Sequence, residues 1–157
     1  MSPDEFSVGR QPGRKPGPYR LLFICTGNSC RSPMAEGLAR RYGMDRIVAF
    51  SAGVAPAPLN PKAVQVMAEI QVDIGDHART SLRSVPIEEM DLVVTLCDYA
   101  RLHAPIGPSS QHRLHWSIAD PSRLWGPQWL VLHGYRQVRD ELDRRIRGLM
   151  QALLKPR

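Results

Sequence analysis

Residues 21–36 read LLFICTGNSCRSPMAE: an apolar run ends in Cys25, and a loop closes on Arg31 and Ser32 with a second thiol, Cys30, between them. A cysteine so placed has three chemistries open to it: metal ligation, thiol–disulfide exchange, or nucleophilic attack from within an anion pocket. Zinc takes four ligands, drawn from Cys and His at short fixed spacings. The chain has no CxxC pair, and His103, His112 and His115 do not group at ligand spacing, so no metal of that kind is expected. The G-x-x-x-x-G-K-[ST] pattern of a nucleotide phosphate loop is also absent.

Residues 25–32 suit an anion pocket. They lie between an apolar run of strand length and a helix start, where free N–H groups converge and the helix dipole favours negative charge. Thr26, Gly27, Asn28, Ser29 and Cys30 can curl into a nest of amide donors, with Gly27 supplying backbone freedom that a side chain would obstruct. Arg31 adds a fork that grips a tetrahedral oxyanion at two points. Cys25, at the base, is then held as thiolate beneath the bound anion, with one more hydrogen bond from Ser32.

The rest of the chain must hold that loop. YRLLFIC, residues 19–25, has the length and apolar content of a buried strand. Ser32 followed by Pro33 signals a helix start, and Leu38 and Tyr42 share one face of that helix. RIVAFSAG reads as a second strand closing on a glycine turn. LNPKAVQVMAEI places Asn60 as a cap and Pro61 at the first helical position, with Ala63, Val66, Met67 and Ile70 on one face. VPIEEM reads as one helical turn, DLVVTLC as a buried strand ending at Cys97, and HRLHWSI as a shorter, more polar fourth strand. From Pro127 a long helix repeats Val131, Tyr135, Val138, Leu142, Ile146, Leu149 and Leu153 at three- and four-residue steps. Strands alternating with helices predict an α/β fold with a parallel sheet, in a single domain over residues 19–157. Residues 1–18, with Pro3, Pro12, Pro16 and Pro18, read as a disordered tail.

The 157 residues suffice for one core, and 43% hydrophobic with 23% charged residues is ordinary for a globular domain. No apolar run approaches the ~20 residues that span a bilayer, so no membrane association is expected. The N-terminal stretch lacks the apolar centre of a secretory signal, and the expected location is cytoplasmic. The net charge of +6 is dispersed, without a basic patch interleaved with aromatics, which argues against nucleic acid and for a field that draws small anions. Three cysteines make an odd count, unsuited to a disulfide framework.

C-x5-R-S after a strand resembles the low-molecular-weight protein tyrosine phosphatase superfamily, which includes the thiol-dependent arsenate reductases. FICTGNSCRSPMAEG, SAGVAPAPLNPKAVQVM, DLVVTLCD, HWSIADP and YRQVRDEL resemble the arsenate reductase branch in order and spacing, over roughly residues 20–150. The resemblance implies a four-stranded parallel sheet flanked by helices on both faces. It implies Cys25 as nucleophile, Arg31 as oxyanion clamp, Asn28 as the residue that shapes the loop, Ser32 as thiolate stabiliser, and Asp120 as general acid.

On that resemblance the expected reaction is reduction of arsenate to arsenite through a Cys25 thiol–arseno adduct. A second thiol attacks the Cys25 sulfur, arsenite leaves, and a disulfide remains. Cys97 is a candidate for that thiol, because parallel strands deliver their carboxyl ends to one edge of the sheet. Cys30 is another, and an external thiol a third. No tightly bound cofactor is expected; the reductant would be glutathione with glutaredoxin, mycothiol, or thioredoxin. Thioredoxin-coupled members carry a further cysteine seven residues beyond the first resolving one, where this chain has Ala104. The alternative is a phosphatase acting through a Cys25 phosphoenzyme. It lacks the aromatics that tyrosine phosphatases place after the DP motif and after the second strand, with Trp125 as a partial substitute. Some members hold a monovalent cation beneath the loop, and Asn28, Glu36, Ser51 and Asp73 match those positions. Arsenate or phosphate and a thiol reductant are the expected partners of a monomer.

Overall fold

The computed structural model describes residues 17–154, so the expected tail lies, but for its last two residues, outside the described part. Strand β1 (Tyr19–Cys25) is buried from Leu21 onward. Its side chains alternate between two cores: Leu21, Phe23 and Cys25 face one, Leu22 and Ile24 the other. A strand apolar on both faces must be covered on both, which is the situation of a parallel sheet.

β2 (Ile47–Gly53), β3 (Leu92–Thr95) and β4 (His112–His115) complete a four-stranded sheet in the order β2-β1-β3-β4, with every pairing parallel. The predicted fold class is the observed one. The fourth strand is shorter than its apolar pattern predicts. Trp116 and Ile118 leave the strand but stay buried, their N–H groups donating to Thr95 and Leu96 carbonyls at 2.8 and 3.1 Å.

Helices α1 (Arg31–Gly43), α2 (Pro61–Ala68) and α4 (Gln128–Leu153) contribute to the core on one face. The other face is covered more thinly, by α3 (Asp98–His103) and by 3-10 turns at Leu82–Ser84 and Ile87–Glu89. α2 starts as predicted, with the Asn60 side chain accepting the Lys62 N–H and Pro61 first in the helix. α1 starts one residue earlier than the Ser32–Pro33 signal, with Cys30 at the cap position and no side-chain cap. Ser32 is therefore released from capping.

α3 has no counterpart in the sequence signals. Its cap is the Cys97 sulfur, which accepts the Ala100 N–H. Cysteine is not among the Ser, Thr, Asp and Asn residues that mark a helix start. Among the described residues no helix is long and apolar enough to cross a membrane.

Candidate active site

The strand order reverses direction at β1: the chain moves outward to β2, then returns across β1 to β3. Ligands of open α/β sheets bind outside the carboxyl ends of strands at such a switch point. Cys25 ends β1, and Cys97 lies two residues past the end of β3.

The loop after Cys25 is held by main-chain bonds to the segment after β2. Val54 N–H donates to the Cys25 carbonyl (3.2 Å), Ala55 to Thr26 (2.8 Å), Ala57 to Gly27 (2.8 Å) and Asn60 to Ser29 (2.8 Å). In a trans peptide the carbonyl and the next N–H point opposite ways. Anchoring the Thr26, Gly27 and Ser29 carbonyls outward turns the Gly27, Asn28 and Cys30 N–H groups inward. The Asn28 N–H does meet the Cys25 sulfur, at 3.3 Å. Pro56 and Pro58 alternate with the donors Ala55 and Ala57. The prolines thus fall at positions where no N–H is used to hold the loop.

The close approach is made possible by Gly53, since a Cβ there would meet Asn28 N at 2.7 Å and Gly27 C at 2.8 Å. At Gly27 a Cβ would come within 3.2 Å of Ser29 Oγ, in keeping with the small residue there. The left-handed residue of the loop is Asn28, at φ 51°, a conformation asparagine tolerates.

Cys25 is 2% exposed, with Ser32 Oγ 2.9 Å from its sulfur. The proton's direction follows from Asn28. Its Oδ1 accepts the Thr80 N–H at 2.8 Å, so Nδ2 is the donor, and it donates to Ser32 Oγ (2.8 Å) and Ser51 Oγ (3.0 Å). With Ser32 Oγ already accepting, its hydrogen is free for the Cys25 sulfur.

Arg31 is buried, Nη1 donating to the Ile118 carbonyl at 3.0 Å and Nη2 lying 3.6 Å from Asp120 Oδ2. Asp120 divides its oxygens. Oδ1 caps the turn Pro121–Arg123, accepting Ser122 N–H (3.0 Å) and Ser122 Oγ–H (2.6 Å), while Oδ2 faces Arg31. Trp125 stands in solvent, 88% exposed.

The other two thiols differ. Cys30 is 3% exposed and its thiol donates to Met34 Sδ at 3.6 Å. Burial pushes that thiol far above its ordinary range, with the Cys25 sulfur adding to the effect. Cys97 is half-buried, its sulfur 3.3 Å from Thr26 Oγ1 and accepting the Ala100 N–H at 3.4 Å.

Of the four residues matched to a monovalent cation, Asn28, Ser51 and Glu36 lie in one hydrogen-bonded cluster and Asp73 does not join it. Asn28 Oδ1 also meets His77 Nε2 at 2.9 Å, His77 Nδ1 lies 3.1 Å from Glu36 Oε2, and Glu36 Oε1 accepts from Arg40 at 3.2 Å. The ring thus links Asn28 to Glu36, and their oxygens are already engaged. Asp73 is exposed and its Oδ1 accepts the Gly75 N–H at 2.8 Å. Asp73 thus stands apart from the other three. Among the described residues no group of three His, Cys, Asp or Glu side chains could hold a metal ion.

His77 and Thr80, which complete the support of Asn28, carry no sequence signal of their own. The alternation of alanine and proline in residues 55–58 is a signal, readable as a strap with donors on one side.

This fold and loop define the class. The model of the family "low molecular weight phosphotyrosine protein phosphatase" matches residues 20–157, and the chain belongs to that family. Within it, the chain is similar to proteins named arsenate reductases. It is 41% identical over 135 residues to that of Halalkalibacterium halodurans, covering 84% of this chain and 95% of the relative. The fold matches an arsenate reductase in the phosphate binding state with TM-score 0.71 and 27% identity, covering 84% of this chain and 96% of that one. It also matches the thioredoxin-dependent arsenate reductase of Corynebacterium glutamicum with TM-score 0.73 and 25% identity, covering 88% of this chain and 63% of that one.

Proposed function

We propose that the protein is an arsenate reductase in which Cys25 attacks arsenate and Cys97 resolves the adduct. The observation that carries this reading is the 3.3 Å contact between Thr26 Oγ1 and the Cys97 sulfur, which brings a second thiol to the rim of the anion loop. A phosphatase has no use for that thiol. Similarity to arsenate reductases over most of the chain supports the same choice.

Inward N–H groups and Arg31 bind the oxyanion and stabilise the charge it develops. The Cys25 sulfur forms a bond to arsenic, and one arsenate oxygen leaves as water with a proton from Asp120. Cys97, as thiolate, then bonds to the Cys25 sulfur. The arsenic–sulfur bond breaks with its electron pair on arsenic, so As(V) becomes arsenite and two thiols become one disulfide. Cys30 is the weaker partner, since its buried, protonated thiol faces Met34. With Ala104 seven residues past Cys97, the external thiol reductant attacks the Cys25–Cys97 disulfide itself.

Phosphate is a near isostere of arsenate, and hydrolysis of phosphate esters needs only Cys25, Arg31, Asp120 and water, so residual phosphatase activity is expected. The test is to follow arsenite release with thioredoxin, glutaredoxin–glutathione and mycothiol, beside p-nitrophenyl phosphate hydrolysis. Cys97→Ser should abolish the first and spare the second. Normal arsenate turnover by Cys97→Ser would exclude Cys97 as the resolving thiol, and either activity surviving Cys25→Ser would overturn the whole reading.

A further inference from the structure

We infer that Tyr135 is a positioning residue for the anion loop, acting through Asn60. The inference rests on the loop's reading as an oxyanion pocket. Tyr135, in α4, is 2% exposed, and its apolar spacing accounts for the ring but not for the hydroxyl. A buried hydroxyl costs free energy unless it is bonded. Asn60 Oδ1 accepts the Lys62 N–H at 2.9 Å, which fixes the amide's orientation, so Nδ2 donates to Tyr135 Oη at 2.8 Å.

Asn60's main-chain N–H meanwhile holds the Ser29 carbonyl at 2.8 Å. One residue therefore grips the tyrosine with its side chain and the loop with its backbone. The direction of the Ser29 carbonyl sets that of the Cys30 N–H, which faces the opposite way across the trans peptide. The phenol also lies close to the pocket's charges. Burial raises its pKa, and the Asp120 carboxylate adds to that effect, so the hydroxyl stays neutral. A phenylalanine would fill the core equally well but would leave Asn60 Nδ2 without this acceptor.

The test uses the full chain, with inorganic phosphate as a non-reducible probe in calorimetric titrations and arsenate in steady-state kinetics. Tyr135→Phe should raise the phosphate Kd roughly 3- to 10-fold, the scale of one neutral hydrogen bond. Arsenate KM should rise by the same factor while kcat holds, the signature of lost binding rather than lost chemistry. Asn60→Ser keeps the helix cap and the N–H to Ser29 but removes the donor to Tyr135. It should give the same shift, and the double variant no more than either alone.

Unchanged phosphate affinity in both variants, or additive shifts in the double variant, overturns the inference even if the thermal midpoint falls. Should Tyr135→Phe fail to fold, Asn60→Ser alone decides by the same measure. If the unaltered chain binds no phosphate, the inference falls with the pocket. If it binds phosphate but turns over no arsenate, the reductase reading fails, and the shift in phosphate affinity upholds or overturns the inference by itself.

Discussion

The hydroxyl of Thr26 stands 3.3 Å from the sulfur of Cys97, so the anion loop after β1 and the thiol beyond β3 share a hydrogen bond. The Ala100 N–H donates to that sulfur, at 3.4 Å. Thr26→Val should therefore slow single-turnover formation of the Cys25–Cys97 disulfide roughly 3- to 10-fold, as expected for one lost hydrogen bond. Alkylation of Cys25 by iodoacetamide, followed in parallel, should slow far less. Equal slowing of both would mean that Thr26 acts on the whole loop and not on Cys97.

The strap after β2 gives a contrast between neighbouring positions. Ala57→Pro removes the N–H that anchors the Gly27 carbonyl at 2.8 Å. It should cost roughly 1–3 kcal/mol of stability, since the Gly27 carbonyl loses its partner, and most of the arsenate turnover. Pro56→Ala removes no donor and should change stability by less than about 1 kcal/mol, through chain entropy alone. Chemical denaturation of the two variants side by side checks this; similar losses would show that the strap acts by packing.

Cys30→Ala removes a small buried side chain and should cost about 1 kcal/mol, leaving arsenate turnover in place. Peptide mapping of the unaltered protein after one turnover should find Cys25 joined to Cys97. A Cys25–Cys30 linkage would reverse the assignment of the second thiol.

Acid stability should depend on Glu69. Its carboxylate is bonded by Arg136 at 2.9 and 2.7 Å and by Arg139 at 2.7 Å, across the contact between α2 and α4. The Arg136 bonds, then those of Arg139, hold its pKa down to about 2, against an ordinary glutamate near ~4.3. A depressed folded-state pKa adds stability that is full above about pH 4.3 and is lost as the pH falls through about 2. Glu69→Gln should flatten the stability profile in that window and leave the basic side unchanged. An unaltered acid limb in the variant would count against the interaction.

Much of the fold was legible because it follows from local chemistry. β1 is apolar on both faces, and Asn60–Pro61 signals a helix start whatever surrounds it. The placement of Cys25 and Arg31 on one loop was legible because a strand, a loop and a helix set it by sequence adjacency alone. α3 was not legible, since its cap is a thiol. The need for Gly53 was not legible, because its approach to the Asn28 backbone depends on two strands pairing. Asp73 was matched to a cation site by position. The ring that links Asn28 to Glu36 comes from His77, and no spacing rule connects residues 28, 36 and 77.

The amides that line the anion loop belong to the main chain, and their anchors are main-chain groups as well. Mutation can rarely delete such donors; apart from proline, every residue carries the same N–H. The cradle is thus nearly inert to sequence drift, while the side chains at its rim remain free to vary. A lineage can then exchange hydrolysis for electron transfer by acquiring one thiol at the end of a neighbouring strand, without rebuilding the part that recognises the anion.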